Sequence, residues 1–235
     1  MRLHKAVITI LLVLIADQAL KFWIKTNMFL GQEFKVFDDW FIIHFTENEG
    51  MAFGLQLGGE YGKLILTVFR LLAVAAIGYF LYDLVRKKAH QGFIISISLI
   101  FAGAVGNIID SVCYGVIFSE SSQQVAELFP ADGGYGTFLH GKVVDMFYFP
   151  LYKGYLPEWI PFWGGDYFVF FRPVFNVADA SITVGVAIIL IFQRRFFNDS
   201  FDEPYKKDGD DEEESNEAEE ITTDQPGHST SDSTK

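Results

Sequence analysis

Residues Phe93–Val112 read FIISISLIFAGAVGNIIDSV, a run of twenty residues in which only Asn107 and Asp110 carry an amide or a charge. An α-helix needs about 20 residues to cross about 30 Å of hydrocarbon, so the run predicts a transmembrane helix. Asn107 and Asp110 are three positions apart and therefore share one helix face. The run also contains small residues that let another helix approach closely: Ala102, Gly103, Ala104 and Gly106.

Three other apolar runs of similar length are interrupted by polar residues in the same way. We interpret the first run as an uncleaved span rather than a signal peptide, because its apolar core continues into Asp17 and Lys21 without a small-x-small cleavage site. We therefore expect an all-α membrane protein whose membrane domain occupies residues 1–195. Its four transmembrane helices are predicted at about 6–24, 64–85, 93–112 and 174–193.

The orientation follows from the basic residues near the ends of the spans, since cytoplasmic loops carry an excess of Lys and Arg. With four spans, three basic clusters fall on the same side, which places both termini in the cytoplasm. The clusters are Arg2 and Lys5, Arg86–Lys88, and Arg194 with Arg195.

Two long connections, 25–63 and 113–173, then lie outside the cytoplasm. The alternation at Glu33–Phe45 could form strands. The second connection is rich in Tyr, Trp and Phe, which favour the membrane–water interface, so we expect it to lie on lipids of the outer leaflet. A small extracytoplasmic module with a β-rich core of its own is the alternative.

The net charge of −12 is concentrated at the C-terminal end. From Phe196 onward there are 14 acidic residues and 3 lysines, whereas residues 1–195 hold 16 acidic and 15 basic residues. We expect 196–235 to be a disordered cytoplasmic tail that catalysis does not require. No basic patch with interleaved aromatic residues indicates a nucleic-acid partner.

Polar residues of all four spans are predicted to lie at one depth, in the outer half of the membrane. An ionisable group inside a span costs roughly 2.5–3.5 kcal/mol on insertion scales, so each needs a reason. The residues concerned are Asp17, Lys21, Arg70, Asn107, Asp110, Asn176 and Asp179, with Asp145 just outside the membrane.

The reactive groups in this cluster are carboxylates. The five histidines are dispersed, and neither a metalloprotease motif nor a serine-nucleophile motif is present. Cys113 is the single cysteine. Two close carboxylates that share a proton can hydrolyse a peptide bond without metal or cofactor. Alternatively, the acids only pair with Lys21 and Arg70 to hold the helices together, as in a non-enzymatic membrane scaffold. A small proton-coupled transporter is a further alternative, because carboxylates inside a membrane also serve as proton relays.

Five short motifs, in order between the spans, sharpen the prediction. They are Asp17-Gln18 with Lys21, Asn48–Gly54 (NEGMAFG), Gly103–Asp110 (GAVGNIID), Val143–Phe147 (VVDMF) and Phe175–Asp179 (FNVAD). With these motifs the chain resembles bacterial lipoprotein signal peptidase, an intramembrane aspartic endopeptidase. The resemblance covers most of residues 1–195.

The resemblance implies roles for individual residues. Asp145 and Asp179 would be the catalytic pair, and Asp17 with Lys21 a structural pair. Residues that support the site would be Asn48, Gly50, Asn107, Asp110 and Asn176.

The resemblance also implies partners and a location. The substrates would be prolipoprotein signal peptides that bear a diacylglyceryl cysteine, cleaved at the outer face of the bacterial cytoplasmic membrane. Globomycin-like compounds would inhibit a monomeric enzyme.

The chain departs from the family pattern in two places. Ser111 stands where the family usually has an arginine, and the stretch from Ser111 to Lys142 is longer than in compact members. The longer stretch predicts a different outer rim. Arg172, seven positions before Asp179, is the candidate replacement for the missing charge because its long planar side chain could reach the site. The alternative is an ordinary interfacial arginine that binds lipid phosphates.

Overall fold

The computed structural model of the protein describes residues 2–49 and 59–201. Its longer helices are α1 (Arg2–Asn27), α2 (Gly59–Arg86) and α3 (Gln91–Ile109). A π-helical turn, Asp110–Tyr114, joins α3 to the short α4 (Gly115–Ile117), and α5 (Val177–Phe201) ends the described chain. Four helical stretches are long and apolar enough to cross a membrane: Arg2–Asn27, Gly62–Arg86, Gln91–Ile117 and Val177–Phe196.

The last of these helices begins three residues later than the predicted span. Val174 and Phe175 form a short strand instead, and the helix begins only at Val177. Apolar residues alone do not distinguish a strand from the first turn of a helix, so the predicted boundary at 174 was wrong.

The expectation of an all-α protein was only partly right, because the outer connections contain strands. These strands are β1 (Glu33–Phe37), β2 (Phe41–Asn48), β3 (Val143–Tyr148), β4 (Tyr152–Tyr155), β5 (Tyr167–Phe170) and β6 (Val174–Phe175). An antiparallel sheet has the order β1-β2-β3-β6, and β4 pairs with β5 in a separate hairpin. Long-range pairing of segments about 100 positions apart is not visible in local periodicity.

The central strand of the larger sheet is β3, which is buried along most of its length. Thr46 pairs with Asp145 and Glu47 with Val144, so β2 covers one side of the VVDMF motif. On the other side β6 pairs with β3, Phe175 opposite Phe147. The sheet thereby connects the end of α3 to the start of α5.

Glycines allow the helices to approach closely at the level of the polar residues. A Cβ atom on Gly103 would collide with the carbonyl oxygen of Ala178, and one on Gly106 would come within 2.7 Å of Oδ2 of Asp17. Small residues of α3 therefore bring both α5 and α1 against it, as such residues do in membrane helix packing.

Apolar clusters lie on both sides of the buried polar residues Asp17, Lys21 and Asp110. One cluster joins the starts of α1 and α3 to the ends of α2 and α5, and it includes Ala6, Leu84, Phe93 and Phe196. Another joins Ile24 of α1 to Phe45, Tyr114 and Met146. Large apolar side chains such as Leu12, Leu72 and Ile191 are exposed on the outer surfaces of the helices, which is typical of lipid-facing positions.

The chain divides into a compact unit, Met1–Ser200, and a second unit, Phe201–Lys235. The predicted disordered tail lies, from residue 202 onward, outside the described residues.

Candidate active site

The start of α5 is fixed by two of the predicted site residues. The side-chain oxygen of Asn176 accepts a hydrogen bond from the Asp179 backbone N–H at 2.9 Å. The Asp179 carboxylate accepts one from the Asn176 backbone N–H at 3.3 Å. This reciprocal arrangement is a capping box, which satisfies donors that a helix N-terminus leaves without partners. The motif FNVAD thus orients Asp179 as a consequence of starting the helix.

Asp145 lies on β3 beside this helix start. The Asn176 amide donates to Oδ1 of Asp145 at 2.8 Å, and the Asn48 side chain also hydrogen-bonds the Asp145 carboxyl group. Asn176 therefore contacts both acids of the predicted catalytic pair. Burial raises the pKa of Asp145 to about 7, and the negative charge of Asp179 contributes to the rise.

Asn107 joins α3 to the same pair. Its Nδ2 donates to Oδ1 of Asp179 at 2.8 Å. Its Oδ1 accepts hydrogen bonds from Lys21 Nζ at 3.0 Å and from Asn176 Nδ2 at 3.1 Å. With donor and acceptor both used, the Asn107 amide can take only one orientation in this network.

Lys21 is the centre of a buried ionic group behind the pair. Its Nζ lies 2.9 Å from Oδ2 of Asp17 and 2.8 Å from Oδ2 of Asp110, and all three side chains have zero exposure. Asp17 accepts the backbone N–H of Ala178 at 2.9 Å, and Asp110 accepts that of Val144 at 3.2 Å. The ionic group thus holds both the start of α5 and the strand that carries Asp145.

A cavity of about 270 Å³ opens beside Asp179 between α2, α3 and α5. Arg70, Asn107 and Asp179 provide its polar wall. The rest of the lining is apolar: Ala73, Val74, Ala104, Ile108 and Ile182. A mostly apolar cavity with a few convergent polar groups is typical of a binding site.

Comparison with known proteins shows the family of the chain. The model of the signal peptidase (SPase) II family matches residues 9–195. The chain belongs to the signal peptidase II family.

Relatives of known name agree with this assignment. The lipoprotein signal peptidase of Porphyromonas gingivalis is 55% identical over 183 residues, which cover 77% of this chain and 79% of that protein. That of Amoebophilus asiaticus is 37% identical over 187 residues, covering 78% and 75%. A solved bacterial membrane enzyme is 26% identical with a TM-score of 0.50, covering 86% of this chain and 93% of its own.

Not all of the expected signal peptidase II site residues come together. Asn48, Asn107, Asp110, Asp145, Asn176 and Asp179 share one network, with Asp17 and Lys21 behind it. Gly50 lies outside the described residues. Arg172 is exposed between β5 and β6, and within the described part of the chain no hydrogen bond or ion pair joins it to a site acid.

Gln18 belongs to the network, although it was given no role of its own from the sequence. Gln18 donates to Asp110 Oδ1 at 3.0 Å and accepts from the Tyr114 hydroxyl at 3.2 Å. Arg70 was predicted to lie in the polar cluster and to pair with its acids in the alternative reading, and the structure places it in the lining of the cavity beside Asp179. The signal for Gln18 was its position in the first motif, directly after Asp17.

The long stretch after Ser111 is attached through a second buried ion pair. Lys25 Nζ lies 2.7 Å from Glu47 Oε1 and 2.6 Å from the Ser121 hydroxyl. Aromatic rings surround the ammonium group at 5.0–5.7 Å and add cation–π stabilisation: Phe45, Phe118 and Tyr135. Because Glu47 precedes Asn48 on β2, this pair also supports the strand that reaches Asp145.

Within residues 2–49 and 59–201, no group of three or more His, Cys, Asp or Glu side chains has the arrangement of a metal site.

Proposed function

We propose that the protein removes signal peptides from diacylglyceryl-modified prolipoproteins by aspartic-protease chemistry at Asp145 and Asp179. Membership of the signal peptidase II family gives the class of reaction: a membrane peptidase acting on lipoprotein precursors. The observation that carries the choice of residues is Asn176, which contacts Asp145 through its side chain and Asp179 through a capping box.

One acid would serve as general base and the other as general acid. Asp179 as carboxylate takes a proton from a water molecule while the water oxygen bonds to the scissile carbonyl carbon. Asp145 as carboxylic acid donates its proton to the carbonyl oxygen. When the C–N bond breaks, the amine leaves with the proton that Asp179 holds. One hydroxyl of the diol intermediate returns a proton to Asp145 as the new carboxyl group forms. A pKa near 7 suits Asp145 to the protonated role around neutral pH.

The other polar residues would orient this pair. Asn107 and Asn176 donate to the carboxylates, and Asn48 supports Asp145 from β2. The Lys21 ion group keeps α1, α3 and β3 in register, which matters because small misplacements of reacting groups cost large factors in rate.

The site would face the outer leaflet of the bacterial inner membrane. The basic clusters at both termini and between α2 and α3 favour cytoplasmic termini, which puts the start of α5 on the outer side. The β4–β5 hairpin ends in aromatic side chains, with Phe162 96% exposed and Trp159 81% exposed. An isolated two-stranded hairpin is only marginally stable in water, so lipid contact at the interface is its natural support.

The same geometry suits inhibition by globomycin-like compounds and action as a monomer. The cavity beside Asp179 and the catalytic pair lie within one chain. The transporter and scaffold alternatives lack support, since the family is one of peptidases.

Cleavage of a diacylated prolipoprotein tests the proposal directly. Purified protein in detergent should release the signal peptide, and it should leave the precursor that lacks the diacylglyceryl group largely uncut. Globomycin should block the reaction. A protein that leaves the diacylated precursor intact, although a relative from Porphyromonas gingivalis cleaves it in parallel, would overturn the proposal.

A further inference from the structure

Arg70 lies on the inward face of α2. The positions that are at least partly buried along this helix recur at helical spacing: Thr67, Arg70, Ala73, Val74 and Ile77. The neighbours on the opposite face, Phe69 and Leu72, are both 66% exposed, as lipid-facing side chains would be. The guanidinium is therefore directed towards the other helices, and its cost in a span requires a compensating partner.

The partners on that side are the two acids of the catalytic pair. Arg70 lines the cavity together with Asn107 and Asp179. The charges of Asp179, on α5, and Asp145, on β3, both act on the guanidinium. The neighbouring wall is apolar, which strengthens charge interactions relative to those in water.

The charge balance of the site indicates why a second cation is needed. Lys21 Nζ forms ion pairs with Asp17 at 2.9 Å and with Asp110 at 2.8 Å. Its charge also attracts Asp145, but these two acids already offset that charge. Asn107, Asn176 and Asn48, which donate hydrogen bonds to the pair, are neutral amides. Two acids in a mostly dry site repel each other unless a cation offsets them.

We propose that Arg70, acting from α2, is the positioning cation of the Asp145–Asp179 pair. The inference rests on the proposed function. Arg70 orients the Asp179 carboxylate towards the cavity and offsets the negative charge that the pair carries. It acts through the two acids, so it is a positioning residue, and its charge matters more than its shape.

The test compares four variants of the full-length protein in detergent with a diacylated prolipoprotein substrate. Arg70→Gln removes the charge and Arg70→Lys keeps it. Arg172→Gln removes the rival candidate charge, and Arg86→Gln removes a charge from the other end of the same helix. Each variant is assayed for kcat and KM from pH 5 to pH 9, and for thermal unfolding over the same range.

We expect Arg70→Gln to lower kcat about 100-fold, the loss typical of a misplaced reacting group. Its pH–rate profile should move to higher pH, because carboxylic acids that lose a nearby cation hold their protons more tightly. Arg70→Lys should retain most of the rate and the wild-type profile. Arg86→Gln should behave as wild type.

The outcomes separate this inference from the proposed function. Loss of cleavage in Arg172→Gln with a normal Arg70→Gln would overturn the inference, as would an Arg70→Gln rate reduced equally at every pH, which is a structural effect. If even the wild type cleaves nothing, the proposed function fails. In that case the unfolding data still test the role of Arg70. Loss of a cation beside ionised acids should lower the stability of Arg70→Gln more at pH 9 than at pH 5.

Discussion

Lys21 Nζ of α1 lies 2.8 Å from Oδ2 of Asp110 at the end of α3, and neither side chain is exposed. The contact adds a link between two helices to the pairing of Lys21 with Asp17 on its own helix. Removing one member of a buried ion group leaves the others charged and unpaired, which is far more costly than losing the pair as a whole.

Lys21→Met should therefore destabilise the protein strongly, by about 3–5 kcal/mol, since Asp17 and Asp110 would stay buried without a cation. Thermal and denaturant unfolding in detergent measures the loss. The matched control is Lys35→Met, which breaks the exposed Lys35–Asp39 pair and should change little. Equal stabilities for the two variants would contradict the role of the ion group.

Asp17→Asn should lower stability more than chemistry. The amide weakens the pairing with Lys21 and the hydrogen bond from the Ala178 backbone N–H, both of which hold helices together. We expect the melting temperature to fall while kcat of the folded protein changes less than about tenfold. A large drop in kcat at unchanged melting temperature would instead place Asp17 in the chemistry.

Asp145→Asn and Asp179→Asn should each reduce cleavage by about 1000-fold or more, because an amide can neither take nor give the required proton. Cleavage of a diacylated prolipoprotein by variants purified at equal folded amounts provides the measurement. Asp166→Asn, an exposed acid in the outer hairpin, is the control and should cleave normally. Substantial activity in either site variant would remove that residue from the catalytic pair.

The same Asp145→Asn variant should be more stable than the wild type at high pH. Because burial raises the pKa of Asp145 to about 7, the folded protein binds this proton more tightly than the unfolded chain does. The wild type therefore loses stability as the pH rises from about 4 to 7, by an amount on the order of 2–4 kcal/mol. The melting temperatures of variant and wild type should diverge at pH 8 and converge near pH 4. A constant difference across this range would show that Asp145 is not held protonated.

Truncation of the acidic tail from Asp199 onward should leave cleavage intact. The catalytic pair and its supporting residues all lie before this point, and the tail carries most of the net negative charge. Rates with detergent-solubilised substrate should agree within about twofold, the range in which surface changes far from a site usually fall. A truncated protein that stays folded but no longer cleaves would assign the tail a direct part.

Local sequence determined the membrane helices and the types of residue in the site. Apolar runs of about 20 residues are sufficient to predict spans. In lipid an exposed backbone N–H or C=O group has no water to bond, and an α-helix satisfies these groups within the segment itself. The FNVAD motif also contains the capping residues of α5, since an Asn followed three positions later by an acid satisfies a helix N-terminus locally, although the predicted span began at 174. The π-helical turn after Ile109 had no such signal.

The tertiary structure alone decided which of these residues meet. Asp145 reaches the site because β3 pairs with β2 and β6, strands more than 90 and more than 25 positions away in the chain. From the sequence, Arg172 was the candidate cation of the site. Only the tertiary structure shows that Arg70 lines the cavity with residues of α3 and α5, whereas Arg172 is exposed. Electrostatic interactions depend on distance and local dielectric, and neither quantity can be read from spacing along the chain.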